Sequence, residues 1–405
     1  MEYYCYNGRR IETPVLKTCC MCYGQSPCRE GHGKKNPVLK RKMMILASLS
    51  IMCILGVSYQ MKLLQEERLL EERWNSATAK FSTDCDVAIA MASDIRSTRG
   101  MYASINSIVT NYKDAERKLC FFIFSTERDM NARRQGMDCV FSTPLSMDGS
   151  ESGSDNITTK TVLPPNVQII HKQIRRDTWQ PIIYSKAELE QEPNNLEYMY
   201  IRYNLKPADV EGMQRVIWID SDTIVRGDVQ ELYDWDLQGR AVAGAKYWEP
   251  LKEYLCTNPR LDGIKMKQHF GRKTTPFRVE NHLNTGLLVL DLYQIHRQRI
   301  LDKWHDLVVS HELDCLWTPG SGDKAFDLAL NGHYTELPNV WNVGYLGSQE
   351  YHRYNCSCNN AKMLHWNGIG KPYNEGRGIS LCVDQFDIYD IVSLQNKGEC
   401  MPSML

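Results

Sequence analysis

The chain has 405 residues, 42% hydrophobic and 10% aromatic, enough apolar side chain for a sizeable core and too much for bulk disorder. Lys and Arg total 48 against 49 Asp and Glu, a formal charge of -1, which argues against a dedicated nucleic-acid binder. Proline (16) and glycine (26) are ordinary in number, which excludes collagen-like and low-complexity classes.

Met43 to Met61 is an uncharged apolar run of 19 residues. A helix needs ~20 mostly apolar residues to cross the hydrocarbon of a bilayer. Lys34, Lys35, Lys40, Arg41 and Lys42 precede the run, and a mixed-charge stretch follows it. The positive-inside rule then predicts a cytosolic tail over 1–42, a signal-anchor over 43–61, a helical stem over 62–80 and a luminal domain over 81–405. A cleaved signal peptide fits poorly, because its basic region would be far too long. Five of the 15 cysteines precede the run, one lies in it and nine follow it. Nine in an oxidising lumen permit up to four disulfides. The tail cysteines are candidates for palmitoylation, and their spacing fits no standard zinc template. Asn156-Ile157-Thr158 and Asn355-Cys356-Ser357 are glycosylation sequons past the span.

The globular part opens with Val87 to Met91, a continuous apolar run suited to a buried parallel strand. Ser97 to Thr110 has helical spacing, and Leu119 to Phe124 predicts a second strand. The polar, Ser- and Gly-rich stretch 144–165 predicts an exposed loop, followed by a third strand over Val167 to His171. Met199 to Leu205 predicts a helix, and Arg215 to Ile219 is the strongest strand in the chain. Ala241 to Ala245 and Gly286 to Leu290 predict further strands, and Tyr293 to Val309 and Asp323 to Leu330 predict helices. Strands alternating with helices predict an α/β fold on a mainly parallel sheet.

Three constellations carry chemistry. The strand Arg215 to Ile219 ends in Asp220-Ser221-Asp222. Ligands of open α/β sheets bind at the carboxyl ends of strands, where paired carboxylates can hold a divalent cation. His365-Trp366-Asn367-Gly368-Ile369-Gly370-Lys371 offers an imidazole for a metal, glycines for close backbone approach and a cation for phosphate. Asn284-Thr285-Gly286, just before an apolar strand, offers an amide and a hydroxyl to a sugar. A solvated turn, a core histidine and an Asn-capped turn are the bland alternatives to each.

Taken in order, these segments resemble glycosyltransferase family 8, the retaining group that includes glycogenin, and most of all its galacturonosyltransferase-like branch. Ala90 to Asp94 with Thr98 to Ile108 is similar to the family's nucleotide-binding strand and helix, and Ile201 to Leu205 to its Arg-x-x-Leu helix. Asp220-x-Asp222, Asn284-x-Gly286, Trp341-Asn342 and His365-x-x-Gly368-x-x-Lys371-Pro372 complete the match, which spans about 86–373.

The resemblance implies a GT-A type, Rossmann-like nucleotide-diphospho-sugar transferase fold behind a transmembrane helix. The span and its basic flank add the expectation of a single-pass type II Golgi membrane protein with a luminal catalytic domain. The implied reaction moves a hexosyl or uronosyl group from a UDP-sugar to a glycan or cell-wall polysaccharide, with retention. Asp220, Asp222 and His365 are the implied ligands of Mn²⁺, with Mg²⁺ as the alternative. Ala92, Asp94, Arg202, Ser221, Asn284, Thr285, Gly286, Gly368 and Lys371 are implied to bind the donor. The implied mechanism is front-face, with the leaving phosphate assisting the acceptor hydroxyl. Asp323 and Lys324 stand at the reacting face, where many members carry Asp-Gln-Asp. Lys324 in place of the amide leaves three expectations: a pair with Asp323, a contact to a uronic carboxylate, or a side chain that points away and touches nothing.

Rival readings separate by chemistry. A phosphatase using Asp220 and Asp222 would release phosphate from a monoester rather than UDP from a sugar donor. A non-catalytic sugar-nucleotide-binding or scaffolding protein on the same fold finds its support in Lys324. Dinucleotide enzymes are disfavoured because no Gly-x-Gly-x-x-Gly follows the first strand.

Overall fold

The computed structural model describes residues 37–81, 83–142, 163–174, 196–247, 282–313, 316–317, 323–349, 358–374, 378–395 and 398–401. Most of the expected 144–165 loop, both sequons and the cysteines of the 1–42 tail lie outside these residues. The chain forms two compact units, Met1–Glu66 and Glu67–Leu405.

One helix, α1 (Pro37–Thr78), carries both the expected span and the expected stem. Its Ala47–Thr78 portion is the one helix among the described residues long and apolar enough to cross a membrane, and its apolar window is wholly exposed. Within the second unit, Trp74 in the last turns of α1 is buried edge-on against Tyr293 at 5.3 Å.

The body follows the strand–helix alternation. β1 (Val87–Ala92) leads through α2 (Thr98–Asn111) to β2 (Leu119–Ser125), then through α3 (Glu127–Ser142) to β3 (Val167–Gln173). After α4 (Leu196–Asn204) come β4 (Arg215–Ile219), the short β5 (Thr223–Val225), β6 (Val242–Lys246) and β7 (Leu283–Asp291). α5 (Leu292–Arg297), α6 (Ile300–Leu313), α7 (Lys324–Leu330), β8 (Thr335–Glu336) and β9 (Met363–His365) complete the site-bearing part.

Seven strands form one sheet in the order β3-β2-β1-β4-β7-β6-β8, while β5 and β9 form a separate antiparallel pair. β1, β2, β3 and β4 are mutually parallel, and β7 enters antiparallel between β4 and β6. The sheet is therefore mixed and mostly parallel. Both its faces are covered. Ala88, Ala90 and Ala92 of β1 face one core cluster, and Val87, Ile89 and Met91 face the other. This is why the strand has no polar alternation: both sides of its period of two are dry. Each fully buried Val, Ile or Leu in such a strand contributes roughly 1.5–3 kcal/mol.

Three departures from the expected elements have physical causes. The helix expected over 293–309 is broken into α5 and α6, because Arg299 adopts φ 55°, a left-handed conformation a continuous helix cannot hold. The strand expected from Gly286 starts at Leu283, so Asn284-Thr285-Gly286 lies inside β7 and not in a turn before it. A helix also stands after β2 where none is expected. The buried face of α3 carries Asp129 and Arg133 beside Met137, Val140 and Phe141, which masks its period.

Candidate active site

Backbone pairing assembles the acidic site. β4 is buried over Val216 to Ile219 and delivers Asp220 at its carboxyl end, where the Asp220 N–H donates to the Gly286 carbonyl at 2.9 Å. The chain turns through Ser221 and Asp222 into β5, whose Thr223 stands opposite His365 of β9. The Trp366 N–H donates to the Asp222 carbonyl at 2.9 Å. That register brings His365 Nε2 to 3.4 Å from Asp222 Oδ1. One ligand atom from each of Asp220, Asp222 and His365 lies within 4.8 Å of the others. Two carboxylates and one imidazole at that separation fit a divalent ion that accepts mixed oxygen and nitrogen ligands.

Gly286 is dictated by this packing. A Cβ there would stand 2.1 Å from His365 Cε1 and 2.7 Å from Nδ1. His365 Nδ1 is 3.1 Å from Asn342 Oδ1. Asn342 Nδ2 donates in turn to the Asn284 carbonyl at 3.1 Å. Asn342 belongs to the late Trp-Asn pair, but the sequence assigns it no role at the site.

Two cations balance the carboxylates. Arg202 of α4 grips Asp220 with both terminal nitrogens, at 2.9 Å each, and also donates to the Thr285 carbonyl at 3.1 Å. Its guanidinium lies 5.0 Å from the Trp218 ring, whose Nε1 donates to Asp220 Oδ1 at 2.8 Å. Lys371 reaches Asp222 Oδ2 and the Trp366 carbonyl, the latter at 2.6 Å. Burial opposes the charge on Asp222, but Lys371 and His365 outweigh it and hold this carboxyl well below the ordinary range. Gly368 shapes the loop between His365 and Lys371. Its φ is +113°, and a Cβ would strike the Gly347 carbonyl oxygen at 2.6 Å.

The expected sugar-side residues form a second group. Asn284 Oδ1 accepts from the Gly286 N–H at 3.2 Å, and Thr285 Oγ1 meets Tyr203 Oη at 3.2 Å. Lys324 does not point away from its neighbours; of the three expectations, the structure shows the pair with Asp323. Its side chain is buried, its Nζ lies 2.5 Å from Asp323 Oδ2, and it stands 5.9 Å from the Tyr247 ring centroid. A turn further along α7, Asp327 accepts from the Leu283 N–H at 3.1 Å. Burial pushes the Asp327 carboxyl up to about 8, with Lys324 pulling against it and Asp323 adding to it.

The expected nucleotide-side residues sit at the end of β1. Ala92 is buried, and Asp94 caps the following turn by accepting from the Ser97 N–H at 3.1 Å and pairing with Arg96. Beneath them the fully buried Arg133 of α3 donates to the Ser93 carbonyl at 2.6 Å. Ser221 is buried beside Gly100, whose Cβ would lie 2.7 Å from the Ser221 carbonyl oxygen. Tyr373 closes this side. Burial pushes its phenol up, and the carboxylates of Asp222, Asp94 and Asp220 reinforce the shift. Arg133 and Asp327 carry no motif signal, being single polar residues in helices.

The glycosyl transferase family 8 model matches residues 88–376. The chain is 24% identical over 351 residues to glycosyltransferase 8 domain-containing protein 2 of Bos taurus, covering 83% of this chain and 91% of that protein. It is 24% identical over 296 residues to probable galacturonosyltransferase-like 5 of Arabidopsis thaliana, covering 71% of each. Among solved structures, the mouse xyloside xylosyltransferase 1 apo form aligns with a TM-score of 0.44 at 14% identity, over 69% of this chain and 97% of that one. With the family model spanning the sheet, the acidic strand end and the His365–Lys371 loop, the chain belongs to glycosyl transferase family 8 and is a glycosyltransferase.

Proposed function

We propose that this glycosyltransferase moves a hexosyl or uronosyl group from a UDP-sugar to a glycan or cell-wall polysaccharide, with retention and with Mn²⁺ in preference to Mg²⁺. The observation that carries the reading is the convergence of Asp220, Asp222 and His365 at the strand ends, with Lys371 on the same carboxylate. Asp220, Asp222 and His365 would hold the ion, which supplies Lewis-acid stabilisation of the departing diphosphate, worth several kcal/mol. Lys371 brings a second positive charge to the same place, and the Gly368 turn lets backbone approach the phosphates.

Arg202, implied to position the donor, also grips Asp220: its bidentate pair and the Trp218 hydrogen bond hold that carboxylate in one orientation. Asn284, its Oδ1 engaged by Gly286, has its Nδ2 group to offer a sugar hydroxyl. Asp94, Ser221 and Ala92 would receive the nucleotide at the end of β1. Lys324 neutralises Asp323, which supports a pocket built for a neutral hexosyl group over a uronosyl one.

We read the compartment as the Golgi lumen, with α1 as a single type II anchor. Basic residues precede the apolar run. Three disulfides among the described residues, Cys85–Cys120, Cys139–Cys400 and Cys358–Cys382, suit an oxidising lumen.

The test incubates the full chain with Mn²⁺ and UDP-galactose, UDP-glucose, UDP-xylose or UDP-galacturonic acid. At least one donor should release UDP, and EDTA should end the release. Silence with every donor, or release indifferent to EDTA, overturns the reading. In sealed vesicles the C-terminal domain should resist protease until detergent is added; digestion without detergent refutes the topology.

A further inference from the structure

The Asn342 amide sits between two groups that leave it one orientation. One of its ends faces the Asn284 backbone carbonyl at 3.1 Å, which can only accept, so that end is the NH₂. The other end, Oδ1, faces His365 Nδ1 at 3.1 Å and can only accept. The ring nitrogen therefore carries the proton. Asn342 and His365 are both buried, so water does not compete for these bonds. Across the ring, Nε2 lies 3.4 Å from Asp222 Oδ1. A neutral ring protonated at Nδ1 aims a lone pair at that carboxylate, an arrangement relieved by a cation bound between them. Gly286 lies beside the ring, where an added Cβ would stand 2.1 Å from Cε1.

We propose that Asn342 is a positioning residue that holds His365 in its Nδ1–H form, presents Nε2 to a metal ion, and couples this ring to the sugar-side strand through the Asn284 carbonyl. The inference rests on the proposed function for the metal but not for the tautomer. An amide from another segment replaces the carboxylate that often fixes a ligating histidine, and it adds a mechanical link between the metal side and the sugar side of the site.

Mn²⁺ affinity of the full chain, read from free Mn²⁺ by electron paramagnetic resonance, tests it without turnover. Asn342→Leu removes both hydrogen bonds at similar volume and should weaken Mn²⁺ roughly ten- to a hundredfold. Asn342→Asp retains an acceptor for Nδ1 and should recover most of that loss. In a His365→Ala background Asn342→Leu should cost nothing further, which a merely structural role would not produce. A folded Asn342→Leu variant with parental affinity, or one with the same loss in both backgrounds, overturns the proposal.

Nitrogen-15 chemical shifts of His365 in the unmodified chain at alkaline pH provide the readout that needs no variant. Protonation at Nδ1 supports the proposal, and protonation at Nε2 overturns it. If the unmodified chain binds no Mn²⁺, the proposed function fails while the tautomer still decides this inference.

Discussion

The two halves of the fold reach order by different routes. From β1 to β3 the strands are parallel, consecutive in sequence and joined by helices, and each pairs with the neighbour that precedes it. From β4 onward the pairings are long-range. β7 inserts antiparallel beside β4, and β9 returns to pair with β5 from the far end of the domain. Lys371 and Asp222 are 149 residues apart, yet their side chains touch. In the regular half β1 and β2 are wholly buried and almost entirely apolar, while β3 at the sheet edge is only partly buried. The irregular half gathers charges that repel one another unless something holds them together. Local burial is enough to build the first half, whereas the second depends on a few interlocking contacts, so single substitutions should hurt it more.

The largest effect should follow substitution of the carboxylates themselves. Asp220→Asn and Asp222→Asn keep the shape and the core but remove the anionic ligands. UDP release should fall by at least about a hundredfold, since Lewis-acid help is worth several kcal/mol and each decade is 1.4 kcal/mol. Asp222→Asn also leaves Lys371 without its carboxylate. The check is turnover with Mn²⁺ alongside a melting curve. A double Asn variant with parental turnover in EDTA would mean that the irregular half is a structural ion-pair network and nothing more.

A smaller but sharper effect should come from Gly286→Ala. The added methyl would stand 2.1 Å from His365 Cε1, and the Asn342 contact to Nδ1 holds the ring in place. Mn²⁺ affinity should drop by about tenfold or more while the sheet persists, in line with the loss of a supporting contact to a ligating histidine. Combined with His365→Ala, the same substitution should be neutral, because the space is then open. A Gly286→Ala protein with intact Mn²⁺ affinity would show that β7 gives way more easily than the tight register with β4 implies.

The same contrast explains what could be seen in the residues alone. β1, β2 and β4 are continuous apolar runs, and continuity of that kind has one cheap solution, a strand dry on both faces. Asp220 and Asp222 were legible because they end such a strand. β5 and β9 are three residues each, too short for any period to show, so the placement of His365 against Thr223 had to come from tertiary pairing. Arg202 matched a motif as a donor-sugar residue, but spacing along α4 does not say which acid it faces; the structure gives it to Asp220. Lys324 could by sequence pair with Asp323, meet a uronic carboxylate or point away; it is buried, with Asp323 and the Tyr247 ring around its charge. Asn342 was visible only as half of a pair, since one asparagine carries no pattern.

Asp327 is the mildest probe of the comparison, because it lies where the irregular half borrows stability from the core. Its carboxyl is buried under the start of β7, and one oxygen accepts from the Leu283 N–H. The other oxygen has no hydrogen-bond partner. Burial raises its pKa from about 3.8 to about 8. A group whose folded value is raised supports the fold fully below its unfolded value. That support is lost as pH climbs, because the unfolded chain releases the proton near 3.8 while the folded chain keeps it until about 8. Asp327→Asn keeps an acceptor for Leu283 and cannot ionise. It should therefore melt like the parent near pH 4 and on the order of a few degrees higher at pH 8, with the gap opening between those values. Asp327→Ala, which loses the Leu283 bond, should melt below Asp327→Asn at every pH. A gap between Asp327→Asn and the parent that stays flat from pH 4 to pH 8 would place the ionised carboxylate in contact with the Lys324 ammonium, and α7 would then belong with the charge-balanced half of the molecule.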